Sequence, residues 1–421
     1  MQDERYSQDV TTKPHRNLLT KLWAAPAVRT ALIIFIMLRV ISAVAATWTM
    51  SNNPAQIDVA QLEPIYPVVF TTQGTFRPWL EPWYRWDTGH YINIAYSGYD
   101  AEMMIFPPLY PFAIRLLASV IGDYLLVAIL IGNLSCIVMF VLFYRLVASE
   151  FNPAIAARAS FLMAAFPTAF YLVAGYSETL YMALLLGSWL ATRNRQYLLA
   201  GMLALLAALT RTQGWVLALP LGYIAYVQHL RLPISRPRQF LQELWVYVRN
   251  PLPLIQRLPV LIGGPLGAAA YLFGMQLSGL GSVSDSYEVI WKTDVVMPWE
   301  SLLRVIRVIV EGTAHIQDVA NIAAFVIAVG LSIVVTIKFK PPYWLYVWPT
   351  LGFILLRGHN VYQLHGVPRY ILHLFPVFIA LAFLFNPQRL TSRLVSVAYM
   401  VVGFLLQVIL VFLFVQWTWI S

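Results

Sequence analysis

The sequence has little charge and almost no cysteine, and both shortages restrict what the protein can be. Only 11% of the 421 residues are charged and 59% are hydrophobic, which excludes a soluble domain of this length. The single cysteine, Cys136, lies in an apolar run, so no disulfide can form within the chain. Although the net charge is +9, the basic residues are scattered at the ends of apolar runs, which argues against nucleic acid as a partner.

Several chemical motifs are also missing. The sequence has no glycine-rich phosphate loop, no Asp-x-Asp metal pair, no Ser-His-Asp order and no zinc-ligand spacing. Asp87 and His90 would supply two metal ligands at most. The sequence therefore does not favour nucleotide-sugar chemistry in the cytoplasm, and we expect no obligatory cofactor or metal ion. A divalent metal is not supported.

What the sequence does contain is repeated apolar runs of about 20 residues, and these predict an all-α, polytopic membrane protein in a single domain, 1–421. A basic N-terminal segment, 1–26, is expected in the cytoplasm before an uncleaved first helix. About eleven transmembrane helices are predicted. Their ranges are 27–48, 124–144, 159–174, 179–192, 196–209, 215–229, 259–278, 318–337, 343–356, 370–385 and 394–416.

The predicted connecting segments differ in charge. A long outer catalytic loop, 49–123, carries a short juxtamembrane helix at 107–121 that is expected to lie on the outer surface. A basic cytoplasmic loop is predicted at 231–258, and a second outer loop at 279–317 is expected to roof the site. If 107–121 crossed the membrane, the bias of Lys and Arg toward the inner side would reverse, so this path is the one that the positive-inside rule favours.

The stretch RWDTGHY, at 85–91, is the main candidate for chemistry. Asp87 and His90 are three residues apart and would share one face of a helix, beside the aromatic side chains of Trp86 and Tyr91. A carboxylate at the membrane boundary reaches a lipid head group without entering hydrocarbon, where a charge costs roughly 3 kcal/mol or more. We predict that Asp87 is a catalytic base. The alternatives are a helix N-cap for Asp87 and a hydrogen-bonded interfacial residue for His90.

Further ionisable groups on the predicted outer side are Glu178, Arg211, His359, His365 and Arg369, and we expect them to converge on one cavity with Asp87. The two arginines are predicted to bind a lipid phosphate, because guanidinium groups bind phosphate oxygens in a fork, and Arg369 is expected at a helix N-terminus. Glu178 would accept hydrogen bonds from sugar hydroxyls or orient Arg211. The alternative for Glu178 is a helix cap. The alternative for Arg211 and Arg369 is that they are ordinary arginines at the membrane boundary.

Four motifs, taken in order, resemble the PIG-V family of mannosyltransferases. They are RWDTGHY at 85–91, FPPLYP at 106–111, FPTAFYLVAGYSETLY at 166–181 and LTRTQG at 209–214. The resemblance covers most of residues 83–230 and, more loosely, 285–385. It implies a GT-C fold, a polyprenyl- or dolichyl-phosphate mannose donor, and transfer on the extracytoplasmic or lumenal face.

The resemblance also places the catalytic acidic residue at Asp87 and further motif positions at His90, Glu178 and Arg211. Together with the residue-level arguments, the predicted substrate-binding residues are His90, Glu178, Arg211, His365, Arg369, Trp86, Tyr91 and Tyr110.

Two departures from the family pattern concern the acceptor. Eukaryotic members usually read Arg-Ser-Asn-Gly where this sequence has Thr212 and Gln213 after Arg211, and PRY at 368–370 resembles prokaryotic relatives. We therefore expect a prokaryotic plasma membrane in preference to the endoplasmic reticulum. The acceptor is expected to be a glycolipid or glycan and is not assumed to be a GPI precursor.

These observations predict an inverting glycosyltransferase that transfers a hexose, most simply mannose. Asp87 would take the proton from an acceptor hydroxyl, and the phosphate ester would leave without a second carboxylate acting as an acid. One alternative is a flippase or carrier of a lipid-linked sugar, which needs the arginines but not the base. Another is a proton-coupled transporter, whose titratable groups would be expected within the spans.

Overall fold

The structure is a computed structural model that describes residues 25–52, 79–228, 252–359, 363–385 and 388–418, and these residues are nearly all α-helical. The first half contains α1 (Pro26–Asn52), α2 (Asp87–Ser97), α3 (Leu109–Ile121), α4 (Tyr124–Glu150), α5 (Pro153–Ala164), α6 (Glu178–Arg193), α7 (Tyr197–Thr210) and α8 (Ala218–Val227). The second half contains α9 (Leu252–Leu277), α10 (Pro298–Val310), α11 (Ile316–Lys338), α12 (Pro341–Leu355), α13 (Val367–Tyr370), α14 (Phe375–Leu384) and α15 (Leu390–Val415). Two short strands, β1 (Thr293–Val295) and β2 (Arg357–His359), pair antiparallel.

Five of the described helices are long and apolar enough to cross a membrane: α1, α4, α9, α11 and α15. A sixth span results if α13, the turn after it and α14 are taken together, although the chain bends by 83° between them. These helices fit an integral membrane protein, as predicted. The predicted number of eleven crossings is not confirmed, because the other predicted spans correspond to shorter helices of 10 to 16 residues.

The predicted crossing at 159–174 is wrong as a single helix. The α5 helix ends at Ala164, and a separate 3-10 turn occupies Ala169–Val173 before α6 begins. Pro167 has no backbone N–H and restricts the residue before it, so an α-helix cannot run through this point undisturbed. The apolar composition continues across the break, which explains why the sequence pattern did not reveal it.

Two predicted loops also differ from the structure. Residues 252–258 of the predicted loop 231–258 belong to α9, while 229–251 and the N-terminal residues 1–24 lie outside the described residues. The predicted loop 279–317 contains a helical turn, the strand β1 and the helix α10. By contrast, α3 is a short helix of 13 residues, as predicted for 107–121.

The broken segment between α5 and α6 connects several distant parts of the fold. Thr168 donates from Oγ1 to the carbonyl oxygen of Pro368 at 2.8 Å, and Thr88 donates from Oγ1 to the carbonyl oxygen of Ala174 at 3.0 Å. Arg39, in the middle of α1, donates to the carbonyl oxygen of Val173 at 3.3 Å. Because its backbone carbonyls are not all used within a helix, this segment can position α2 and α13 beside each other.

The α9 helix packs closely against α7 through glycines. A Cβ atom on Gly263 would overlap the carbonyl oxygen of Gly201, and one on Gly267 would overlap the carbonyl oxygen of Leu205. Small residues allow such backbone approach between membrane helices, where van der Waals packing replaces the hydrophobic effect as the driving force. The α7 helix leads directly into Arg211, so this packing also fixes one side of the site described below.

We expect Gly263→Ala to lower the free energy of unfolding by about 1–3 kcal/mol, because the added methyl group forces α9 away from α7. Gly274→Ala is the matched control on the same helix, since nothing lies within 4 Å of the Cβ atom that it would gain. Alanine is the better helix former, so this control should be neutral or stabilised by up to ~1 kcal/mol. Melting of the two variants in detergent makes the comparison, and equal melting temperatures would contradict the proposed role of close packing.

Candidate active site

A cavity of about 340 Å³ lies between the start of α2, the turn after α7, the β1–β2 strand pair and α13. The predicted site residues that line it are Trp86, Asp87, His90, Tyr91, Arg211, His359, His365 and Arg369. Residues from distant parts of the sequence are therefore brought together on one cavity. The two predicted site residues that do not line it are Glu178 and Tyr110.

Asp87 forms a buried ion pair with Arg369. Nη1 of Arg369 donates to Oδ2 of Asp87 at 2.8 Å, and both side chains are almost entirely shielded from solvent. Asp87 is the first residue of α2, and the N-cap position before it belongs to Trp86, which makes no capping hydrogen bond. The alternative interpretation of Asp87 as an N-cap is therefore wrong, and its carboxylate faces the cavity.

Trp86 has an unusual backbone conformation directly before this carboxylate. Its φ of 53° and ψ of −127° are rarely adopted by residues other than glycine, and such a conformation costs about 1–3 kcal/mol. The indole ring packs edge-on against Trp417, with 5.5 Å between ring centroids. The strained residue therefore sets the direction in which α2 begins, with Asp87 at its first position.

Glu178 is a fully buried counter-ion behind the cavity. Its Oε1 accepts a hydrogen bond from Nη1 of Arg211 at 2.9 Å and lies 3.4 Å from Nε of Arg369. Its other oxygen, Oε2, is buried without a hydrogen-bond partner among the described residues. Since Ser177 occupies the N-cap position, Glu178 is not a cap. The geometry agrees with the predicted orienting contact to Arg211, whereas contact with sugar hydroxyls is not available from this buried position.

Arg369 differs from its prediction in two respects. The helix that carries it, α13, has only four residues, so no helix macrodipole is available to attract an anion there. Its guanidinium group already has carboxylate partners, Asp87 and Glu178. A buried cation requires an anion because desolvation is costly, and the fold supplies that anion itself.

Two histidines of the cavity are neutral at pH 7. His90 lies against the rings of Phe106 and Trp291, each at 5.2 Å, and burial lowers its pKa to about 4 although Asp87 opposes the shift. His365 stacks on His359 at 4.4 Å, and burial, together with His359 and nearby arginines, lowers its pKa to about 3.

The depressed pKa of His90 predicts a loss of stability in weak acid. Between pH 6.5 and 4 the unfolded chain binds a proton at His90 that the folded chain does not, so stability falls as the pH is lowered. From pH 7 to pH 5 this one group contributes a loss of about 2 kcal/mol. We expect His90→Gln to show a smaller fall in melting temperature over this range than the unmodified protein. An identical fall in both would contradict a neutral His90.

Tyr91 and Tyr110 have different places in the site. The hydroxyl of Tyr91 is 2.7 Å from Oγ of Ser177, which also accepts a hydrogen bond from Arg211 at 3.1 Å. Tyr110 packs edge-on against the ring of Tyr91 and donates its hydroxyl to the carbonyl oxygen of Ala128 at 2.8 Å. The structure therefore places Tyr110 behind Tyr91, where it supports the cavity wall without lining it.

The lining also contains polar residues that sequence reasoning missed, among them Arg357, Tyr287, Tyr370 and Gln213. Arg357 and His359 lie on one face of β2, where His359 pairs with Thr293 of β1. The available signal is the basic run at 357–359, from which the sequence-based prediction includes only His359. Gln213 lies 3.1 Å, through Oε1, from Nδ1 of the buried His373, a pairing that local sequence does not reveal.

The fold and the cavity together define a polytopic α-helical membrane protein with a buried, arginine-rich site. Among the described residues, no group of three His, Cys, Asp or Glu side chains is placed to hold a metal ion. The family model described as mannosyltransferase (PIG-V) matches residues 29–233 of this chain. The resemblance predicted from the motifs is therefore confirmed, and the matched region contains Asp87, His90, Glu178 and Arg211.

Curated relatives agree with this assignment. The chain is 32% identical over 146 residues to the proteins called GPI mannosyltransferase 2 from two strains of Cryptococcus neoformans var. neoformans serotype D. The matched region is 32% of this chain and 34% of each relative, so the chain spans about a third of the length of these proteins. No solved structure matches the chain.

Proposed function

We propose that this protein is an inverting mannosyltransferase of the membrane that takes mannose from a polyprenyl- or dolichyl-phosphate donor. The acceptor would be a glycolipid or glycan on the extracytoplasmic face. The observation that carries the proposal is that Asp87, within the family-matched region, lies in one cavity with Arg211 and Arg369. This reaction needs a carboxylate to act as the base. It also needs cations, because the leaving group is an anion.

In the proposed step, the acceptor hydroxyl attacks the anomeric carbon of the donor sugar while Asp87 accepts the hydroxyl proton. The new bond joins the acceptor oxygen to that carbon, and the bond from the carbon to the phosphate oxygen breaks with inversion. The electron pair leaves with the lipid phosphate. Because phosphate is already a competent leaving group, no second carboxylate is needed to protonate it.

The ion pair between Asp87 and Arg369 supports this role. Nη1 of Arg369 donates to Oδ2 of Asp87 at 2.8 Å, which holds the carboxylate in place at the cavity wall. The guanidinium groups of Arg211 and Arg369 both line the cavity, so the departing phosphate can approach them as its negative charge develops. Such prearranged donors stabilise the charge that develops in the transition state.

The test is to incubate the purified protein with radiolabelled polyprenyl-phosphate mannose and a membrane extract, and then to identify the labelled product. Transfer of label to a glycolipid or glycan, with inverted configuration at the anomeric carbon, is the expected result. If the label stays on the polyprenyl carrier and only crosses the bilayer of a reconstituted vesicle, the protein is a carrier and the proposal is wrong.

A further inference from the structure

The charges of the cavity do not balance among the residues that form it. The lining contains three arginines, Arg211, Arg357 and Arg369. Two carboxylates face them, since Asp87 pairs with Arg369 and Glu178 pairs with Arg211 and Arg369. These five groups therefore carry one net positive charge, and it belongs to the arginine that pairs with neither of these two carboxylates.

That arginine is Arg357. Among the residues that the structure describes, no carboxylate forms an ion pair with it, and its guanidinium group donates instead to the hydroxyl groups of Tyr287 and Tyr370. The rings of both tyrosines also lie near it, with 5.1 Å and 5.4 Å between the guanidinium carbon and the ring centroids. Neutral hydroxyls and aromatic rings orient a cation but do not neutralise it.

The three guanidinium groups surround one ring. Those of Arg211, Arg357 and Arg369 lie 5.5, 5.4 and 5.4 Å from the centroid of Tyr370. Like charges gathered this closely in a shielded site repel one another unless an anion lies between them. The arrangement therefore favours binding of an anion, and the excess positive charge lies at Arg357.

The position of Arg357 along the chain favours a lipid phosphate over a free one. Arg357 follows the apolar helix α12 after a single residue, and Phe353 of that helix also lines the cavity. Ile105, Phe106 and Pro107 line the same cavity, which gives it an apolar wall. A phosphate that approaches Arg357 can therefore remain joined to a chain that runs along the apolar wall.

We propose that Arg357 is the principal anchor for the phosphate of a polyprenyl-phosphate substrate, while Arg211 and Arg369 are held in place by the protein's own carboxylates. This inference rests on the proposed function for the identity of the lipid. It changes the sequence-based prediction, in which Arg211 and Arg369 bind the phosphate. It also assigns a substrate contact outside the family-matched region 29–233.

The experiment measures binding, so it does not depend on catalysis. The full-length protein in phosphatidylcholine nanodiscs is titrated with polyprenyl phosphate, and with polyprenol as the ligand without phosphate. We expect Arg357→Met to weaken binding of polyprenyl phosphate about tenfold or more, because it removes a charge-assisted contact. Polyprenol binding should change less than twofold. The affinity of Arg357→Lys for polyprenyl phosphate should lie between those of the unmodified protein and Arg357→Met, since lysine keeps the charge but loses the planar fork.

Arg307→Met is the matched control. Arg307 is an exposed residue of α10 outside the cavity lining, so its replacement removes the same charge from the same part of the chain. We expect less than a twofold change, which separates a local contact from a long-range effect of net charge. Melting temperatures of all variants establish that the fold is kept, and Arg357→Lys carries the test if Arg357→Met does not fold.

Binding of polyprenyl phosphate within twofold of normal in both Arg357 variants would overturn the inference and leave the proposed transferase intact. The inference would also be overturned if inorganic phosphate displaced bound polyprenyl phosphate as effectively as the lipid itself does, because the ligand would then be a free phosphate. Conversely, if an Asp87 variant retains full transfer while the Arg357 variants lose affinity, the proposed base is wrong and the phosphate anchor stands.

Discussion

We expect Asp87→Asn to lower the proposed mannosyl transfer by roughly 10²- to 10⁴-fold, the range that a general base contributes to catalysis. The amide cannot accept the acceptor's proton, but its oxygen can still accept the hydrogen bond that Arg369 donates to Oδ2. Glu178 also remains as a counter-ion 3.4 Å from Arg369, so the fold should be kept, and the affinity for polyprenyl phosphate should not fall. Transfer of radiolabelled mannose and titration with polyprenyl phosphate measure the two effects separately.

The matched control for this result is Asp123→Asn. Asp123 caps α4 by accepting a hydrogen bond from the backbone N–H of Leu126 at 3.0 Å, and it does not line the cavity. Asparagine is an equally good N-cap, so this variant should retain normal transfer and normal stability. Near-normal turnover in Asp87→Asn would end the assignment of Asp87 as the base and would favour a carrier, which needs no proton acceptor.

The largest effect on stability is expected from Glu178→Gln. Glu178 is fully buried and contacts two guanidinium groups through Oε1, so neutralising it removes the carboxylate that pairs with Arg211 and one of the two that lie beside Arg369 in the described residues. Breaking a buried ion pair from one side costs about 3–5 kcal/mol. Chemical denaturation in detergent measures this loss, and transfer activity should fall as well, because both arginines line the cavity.

Glu300→Gln provides the comparison. Glu300 pairs with Arg304 one turn along α10, and its side chain is about half exposed, so its loss should cost less than ~1 kcal/mol. The double variant Glu178→Gln with Arg211→Gln should be less destabilised than the two single effects added together, because each partner's cost includes a charge left uncompensated. Unfolding free energies that simply add would show that Glu178 and Arg211 do not depend on each other.

Local motifs were sufficient to predict part of the cavity lining. Asp87, His90, Tyr91 and Arg211 lie in short stretches where the residue types themselves indicate acid–base or phosphate chemistry, and all four line the cavity. The stretch around Glu178 was also identified, although its role as a buried counter-ion came from the structure. Tyr110 was included because its motif resembles a family pattern, but it packs behind Tyr91.

The number of spans was the weakest part of the sequence-based prediction. An apolar run reports only that a segment avoids water, and both a long spanning helix and a short buried helix satisfy that condition. The break at Pro167 and the 83° bend before α14 interrupt such runs without changing their composition.

Residues 360–362, between His359 and His365 of the site, lie outside the described residues.

Composition alone establishes a helical membrane protein, because an apolar chain of this length must satisfy its backbone hydrogen bonds within helices. The order of the motifs then identifies the PIG-V resemblance. Neither reveals how the charges pair. Asp87 and Arg369 are 282 positions apart in sequence yet 2.8 Å apart in space, and within the described part of the chain Arg357 donates to tyrosine hydroxyls and pairs with no carboxylate. The partner of a buried charge depends on which distant segments the fold brings together, so its identity follows from three-dimensional packing and not from neighbouring residues.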